Sequence, residues 1–212
     1  MSAAPQPIAI DGRALGSRGT RTRRRLLEAT AGLLETHGIR DLRVVDIARR
    51  VETSPATFYQ YFRDVEDAVL ALAGEVGEST GPLRAVLAGS WDADGSLDSA
   101  RALVEGFVDF WDVNRAVLRT RNLAAQEGDQ RFRDVRNRAL EPFTEALAGH
   151  VRAAQQAGRV APELCPAAAG AALVALLERM AAFHHDLEPL GIDRAQLVET
   201  TARIIHQTVG GG

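Results

Sequence analysis

No lysine occurs among the 212 residues, so all 25 basic side chains are arginine. That bias reads as the coding preference of a GC-rich genome, not as function. The single cysteine, Cys165, excludes an internal disulfide and fits a reducing compartment. It stands between Leu164 and Pro166 with no basic neighbour to activate it, and reads as a small apolar filler. No run of about 18 apolar residues is present, so no membrane-spanning helix and no membrane partner are expected. The N-terminus has no continuous apolar signal region, and the expected location is cytoplasmic. Alternating strand patterns and internal repeats are absent. So are a phosphate-cradling glycine loop, a zincin motif and a nucleophile elbow. No catalytic residue and no cofactor is expected.

What is present supports a sizeable core, with 46% hydrophobic and 25% charged residues. The net charge of −3 hides an asymmetry. Residues 1–65 hold 11 arginines against 7 acids, whereas residues 66–212 hold 14 against 21. Six of the arginines crowd into 13–25. A basic end on an acidic remainder points to local contact with a polyanion.

The pattern along the chain is helical throughout, and the expected fold is all-α. Residues 1–17, with Pro5, Pro7, Gly12 and Gly16, read as a disordered tail. Leu26, Leu27, Thr30, Leu33, Leu34 and His37 give a helix over 20–37, with Gly38 as a left-handed cap. Its first turns carry Arg21, Arg23, Arg24 and Arg25, at the end the helix dipole disfavours for cations, which a nearby phosphate backbone would explain. Val44, Ile47, Ala48 and Val51 mark a second helix. Ser54 as N-cap and Pro55 at the first helical position open a third, reaching Phe62. There Phe58 and Phe62 share the core face and leave Thr57, Tyr59, Gln60 and Tyr61 outward. Asp64 caps a fourth helix to about residue 79, and part of 80–96 reads as loop. Further helices follow over 97–112, 114–126, 130–156 (ended by Gly158), 166–186, and from an Asp193 cap onward.

Leu26-Leu27-Glu28-Ala29, Asp46-Ile47-Ala48 and the run from Ser54 to Phe62 together resemble the DNA-binding domain of TetR-type transcriptional regulators, over residues 20–72. The resemblance implies an N-terminal three-helix helix-turn-helix domain over 18–65 and a larger helical ligand-binding and dimerisation domain over 66–209. It implies DNA contact by Ser54, Pro55, Ala56, Thr57, Tyr59 and Tyr61. Hydroxyls suit phosphate oxygens, Ala56 permits close approach, and Gln60 suits an adenine edge. Arg21 and Arg24 add phosphate contacts. Three positions depart from the family pattern. Arg43 replaces the usual Thr and is expected still to reach phosphate, Glu52 replaces the turn glycine and implies a strained or altered turn, and Val65 replaces a Lys, for which Arg63 is the expected substitute.

For the second half, the 166–186 helix is apolar nearly all round and must meet another helix. Leu173, Leu176 and Leu177, with Ile204 and Ile205 of the last helix, are the candidate two-fold interface of a homodimer. Phe107, Phe110, Trp111, Asn114, Leu118, Phe143, Met180 and Phe183 are candidate ligand-pocket residues, suited to an apolar or acyl-type molecule. Arg121 and Asn122 offer a head-group contact, or a solvated arginine. His184-His185-Asp186 is not expected to bind metal, because adjacent helical side chains point about 100° apart. The expected function is a dimeric repressor released from a near-palindromic double-stranded operator by a small-molecule effector. A DNA-binding helical protein without ligand sensing and a small helical enzyme stay open as alternatives.

Overall fold

The computed structural model describes residues 10, 13–89, 91 and 95–210. Among them lie nine α-helices and no β-strand: α1 (Ser17–Leu34), α2 (Val44–Arg50), α3 (Pro55–Phe58), α4 (Val65–Glu78), α5 (Gly81–Leu87), α6 (Ser96–Gln126), α7 (Gln130–Gln156), α8 (Pro166–Leu187) and α9 (Arg194–Val209). A 3-10 turn, Glu188–Leu190, follows α8. The chain divides into two compact units. The first takes the residues up to Glu75 together with Ala116–Arg136, and the second takes Val76–Arg115 and Asn137–Gly212.

In the first unit, α1 buries Leu26, Leu27, Ala29, Thr30 and Leu34. The Thr30 hydroxyl satisfies itself on the Leu26 carbonyl at 2.8 Å, so the polar group costs little in the core. Ile47 and Ala48 of α2, then Val51, Phe58 and Phe62, complete a small apolar centre. Each of the larger ones, Ile47, Val51, Phe58 and Phe62, contributes roughly 1.5–3 kcal/mol by leaving water. Helix α1 starts at Ser17, earlier than its periodicity indicates, because Ser17, Arg18 and Gly19 offer no apolar side chain to mark the turn. Of the expected disordered tail, residues 1–9, 11 and 12 lie outside the described residues. Ile10 donates its N–H to the Gln60 carbonyl at 3.2 Å. Gly38 is not the left-handed cap. Glu35 closes α1 in right-handed geometry, the Thr36 and His37 amides donate to the Leu33 carbonyl, and His37 is exposed.

The elbow between α6 and α7 belongs to this same unit. Arg40 pairs with Glu127 at 2.8 Å, and Arg131 pairs with Glu66 of α4 at 2.8 Å. Asp129 and Glu66 around the Arg131 guanidinium raise its pKa further above the ordinary arginine value.

In the second unit, the stretch expected to be partly loop contains α5, with Pro82 in the first turn and Leu83 and Leu87 buried. The two helices expected over 97–126 are one, α6, kinked at Asn114 (φ −115°, ψ 16°). The Asn114 side-chain amide donates to the Phe110 carbonyl at 2.9 Å, which competes with the helical ladder at the kink. Leu103, Val104, Phe107 and Val108 of α6, Phe143, Leu147 and Val151 of α7, Leu173 and Leu177 of α8, and Ile205 of α9 form the core. Helices α7 and α8 approach closely at Gly170, where a Cβ would lie 2.5 Å from the Thr144 carbonyl oxygen. Gly158 ends α7 in the left-handed region at φ 69°. Asp193 and Gln196 close a reciprocal capping box on α9. Arg101 holds Glu199 at 2.6 Å and keeps that carboxyl's pKa down to about 2.

One sequence expectation needs correcting here. Cys165 is exposed, at the N-cap of α8, not an apolar filler. By length and composition alone, one helix, within Pro166–Leu190, is apolar enough to cross a membrane, its most apolar 18-residue stretch having a mean hydropathy of 1.4. Alanine raises that average while the segment still carries buried Glu178 and His184.

Candidate nucleic-acid interface

The first unit carries a helix-turn-helix whose turn is built on an unusual residue. After α2, Glu52 adopts φ 57°, and it is the non-glycine residue with positive φ among those described. Its amide donates to the Arg49 carbonyl at 3.1 Å, and the Thr53 amide donates to the Ala48 carbonyl at 3.0 Å. These are the paired bonds of a Schellman stop, which favours glycine at the left-handed position. Of the strained or altered turn expected at Glu52, the strain is what is found: the turn geometry is normal and is held by a left-handed non-glycine residue.

Ser54 then caps α3, as its spacing indicates. Its Oγ accepts the Thr57 amide at 3.2 Å, and the two hydroxyl oxygens lie 3.1 Å apart. Pro55 sits at the helix start. Ordered α-helix covers only Pro55–Phe58, and the chain continues in turns to Tyr61. Phe58 and Phe62 are buried, with centroids 5.4 Å apart. They anchor a face on which Ser54, Pro55, Ala56, Tyr59 and Gln60 are exposed and Thr57 and Tyr61 are half-buried. Tyr59 stands 51% exposed, edge-on to Phe58 at 5.8 Å. The Tyr61 hydroxyl lies over Gly19 of α1, 3.6 Å from where a Cβ would be.

The arginines split into those held by the fold and those turned outward. Arg23 is bound into the unit by Glu75 at 2.5 Å and lies 5.4 Å over the Phe62 ring. Sequence spacing did not separate it from its neighbours, since its carboxylate partner is 52 residues away. Arg24 pairs with Glu28 at 3.3 Å and is otherwise exposed. Arg18, Arg21 and Arg25 are exposed. Leu15, Ser17, Thr20, Arg21 and Arg24 line a shallow depression, a setting of hydroxyls and guanidiniums suited to an anion. Arg43 precedes α2 in extended geometry and bonds Asp46 at 2.9 Å, and Asp46 also takes Arg49 at 3.2 Å. The Arg43 hydrogen bond leads in holding the Asp46 pKa below its ordinary value. Arg63 is similarly engaged by Asp67 at 3.0 Å, which raises the arginine's pKa.

In the second unit, the expected pocket residues occupy different positions. Phe107 and Phe143 are buried edge-to-face at 5.0 Å, and Trp111 is buried. Phe110, Asn114 and Met180 are half-buried, while Phe183 is exposed with Arg179 stacked 3.7 Å over its ring. Leu118 is buried in the first unit. Arg121 is also in that unit and is buried, not solvated, with Nε 3.0 Å from the Asn122 side-chain oxygen. Of the expected interface residues, Leu173, Leu177 and Ile205 are buried within one chain, Leu176 is half-buried, and Ile204 is exposed.

The geometric reason for excluding His184 and His185 from joint contact does not hold. Their ring centroids lie 3.9 Å apart, and their Nε2 atoms lie 3.3 and 3.4 Å from one oxygen of Asp112. Side-chain rotation at the end of α8 brings together rings that the helical wheel separates.

Comparison with known proteins agrees with this architecture. The sequence model of bacterial regulatory proteins of the tetR family matches residues 26–72. That of the tetracyclin repressor-like C-terminal domain matches residues 83–212. No curated protein matches the chain. Among solved structures, the fatty acid degradation regulator FadR from Bacillus halodurans is 17% identical, with TM-score 0.69, covering 92% of this chain and 97% of its own. FadR from Bacillus subtilis, solved in complex with stearoyl-CoA, is 15% identical, with TM-score 0.67 and coverages of 89% and 98%. Salmonella enterica GusR is 16% identical, with TM-score 0.68 and coverages of 89% and 95%. The C-terminal match alone spans more than half of the chain, and the protein belongs to the TetR family of transcriptional regulators.

Proposed function

We propose that this regulator is a homodimeric repressor that leaves its operator when a small apolar or acyl-type ligand binds. The observation that carries the DNA-contact part is the exposed Ser54–Tyr61 face, fixed from behind by Phe58 and Phe62. Ser54, Pro55, Ala56, Thr57, Tyr59 and Tyr61 set the third helix against phosphates, Gln60 reads a base edge, and Arg21, Arg24 and Arg43 neutralise the flanking backbone. Arg43 exchanges its exposed partner Asp46 for phosphate at little cost, because a solvated ion pair is worth at most about 1 kcal/mol.

Two-fold pairing through α8 and α9 fits their outward apolar groups, Leu176, Phe183 and Ile204. It would present two third helices to successive major grooves. The acyl-type ligand is supported by the apolar aromatic cluster of Phe107, Phe110, Trp111 and Phe143, and by the stearoyl-CoA carried by the Bacillus subtilis relative. Release requires only that the ligand prefer the non-binding conformation by a few kcal/mol. The ion pairs Arg40–Glu127 and Arg131–Glu66 tie the α6–α7 elbow to the DNA-contacting unit and supply a route for that preference.

The test is a fluorescence-anisotropy titration of DNA recovered by genomic capture, with and without long-chain acyl-CoA. Nanomolar binding that falls steeply with salt, and is weakened by acyl-CoA, is expected. Salt-insensitive binding overturns the phosphate contacts. Tight binding indifferent to acyl-CoA and to free fatty acid overturns the ligand class and favours a DNA-binding protein without this sensing.

A further inference from the structure

We infer that Asp112, His184 and His185 form a binding site for one divalent transition-metal ion of the zinc class, joining α6 to α8 within the second unit. Three observations converge. First, one ring nitrogen of His184, one of His185 and a carboxylate oxygen of Asp112 all lie within 4.8 Å of one another. The two nitrogens stand 3.3 and 3.4 Å from Oδ1. Ligands held about 2.0–2.2 Å from a tetrahedral zinc stand about 3.3–3.6 Å apart, so little movement is needed.

Second, the opposite nitrogen of each ring is already assigned. The His184 Nδ1 lies 2.9 Å from the Ala181 carbonyl, and the His185 Nδ1 lies 3.2 Å from the Glu188 carboxylate. Both oxygens only accept, so both Nδ1 atoms donate. In neutral rings each Nε2 then carries its lone pair toward the anionic Asp112 oxygen. A carbonyl or carboxylate behind the ring is the arrangement that orients metal-ligating histidines. The facing lone pairs and carboxylate call for positive charge between them. One divalent ion between the two nitrogens and Oδ1 satisfies all three donors at once.

Third, the fold prepares and admits the ligand set. His184 is 4% exposed and held in place, while His185 and Asp112 are open to solvent, as an entry path requires. Arg194 takes the other oxygen of Asp112 at 3.4 Å and Asp109 at 2.5 Å, which leaves Oδ1 to the imidazoles. Water would complete the coordination. Two imidazoles and one carboxylate suit zinc, nickel or copper, and not magnesium, which prefers oxygen ligands.

The experiment is calorimetric titration of zinc chloride into the full-length, tag-free, chelator-washed protein, with magnesium chloride as control. One zinc per chain and no magnesium binding are expected. Asp112→Asn and His185→Gln, both at solvent-accessible positions, should each weaken zinc binding at least tenfold with an unchanged circular-dichroism spectrum. Cys165→Ser should bind as the parent does. Cobalt(II) should give the visible bands of a nitrogen- and oxygen-ligated ion without a sulfur charge-transfer band. Absence of zinc binding, parent-like binding by both site variants, or loss of binding in Cys165→Ser overturns the site.

Discussion

The two units use their surfaces in opposite ways. Around α3 the first unit hides two phenylalanines and shows hydroxyls, an amide and arginines to solvent. Around α8 and α9 the second unit leaves apolar groups outward, among them Phe183 at 38% and Ile204 at 42% exposure. Its polar groups often find partners far along the chain, as Arg101 does with Glu199 and Arg194 with Asp109. A polar face over a small aromatic anchor suits a solvated polyanion, whose contacts exchange water for water-like oxygen. An outward apolar face suits another apolar surface, since burial there is the main source of association free energy.

The largest expected effect tests whether the small centre alone supports the polar face. Phe58→Ala should cost about 3–5 kcal/mol and abolish operator binding, read by denaturant melts and anisotropy. Parent-like binding would mean that the face does not depend on its anchor. In the second unit the matching weak point is backbone approach, not side-chain volume. Gly170→Ala should destabilise by about 1–3 kcal/mol, because its Cβ meets the Thr144 carbonyl, and DNA affinity at low temperature should change little. Tyr59→Ala separates contact from stability: operator affinity should fall by about 1–3 kcal/mol in a gel-shift titration, with the melting midpoint nearly unchanged. The smallest effect concerns the turn. Glu52→Gly should raise stability by about 1 kcal/mol in a chemical melt, by removing the left-handed strain. A loss of stability there would show that the Glu52 side chain compensates its own geometry.

Much of the first unit was legible in the sequence because its decisive interactions are local. Ser54 caps α3 within three residues, Pro55 presets its first turn, and Glu52 stands where the stop needs a left-handed residue. Phe58 and Phe62 share a face by spacing alone. Gly38 misled because a glycine after an apolar run signals a cap, yet α1 had already closed on Leu33 carbonyl bonds. In the second unit helix existence was readable from periodicity, but roles were not. Leu173, Leu177 and Ile205 carry the same apolar signal whether they face a partner or their own core, and the core holds them.

Local spacing therefore determined the helical class, the helix-turn-helix and the residues of its outward face, since helix periodicity and capping act within a turn or two. Tertiary structure decided which arginine is structural, where Arg23 meets Glu75, and that the α6–α7 elbow folds with the DNA-contacting unit. It also decided that two adjacent histidines converge on a carboxylate 72 and 73 positions earlier, Asp112. Such meetings depend on how helices distant in sequence are packed and on side-chain rotation at their ends, and neither is written in the spacing of a single helix.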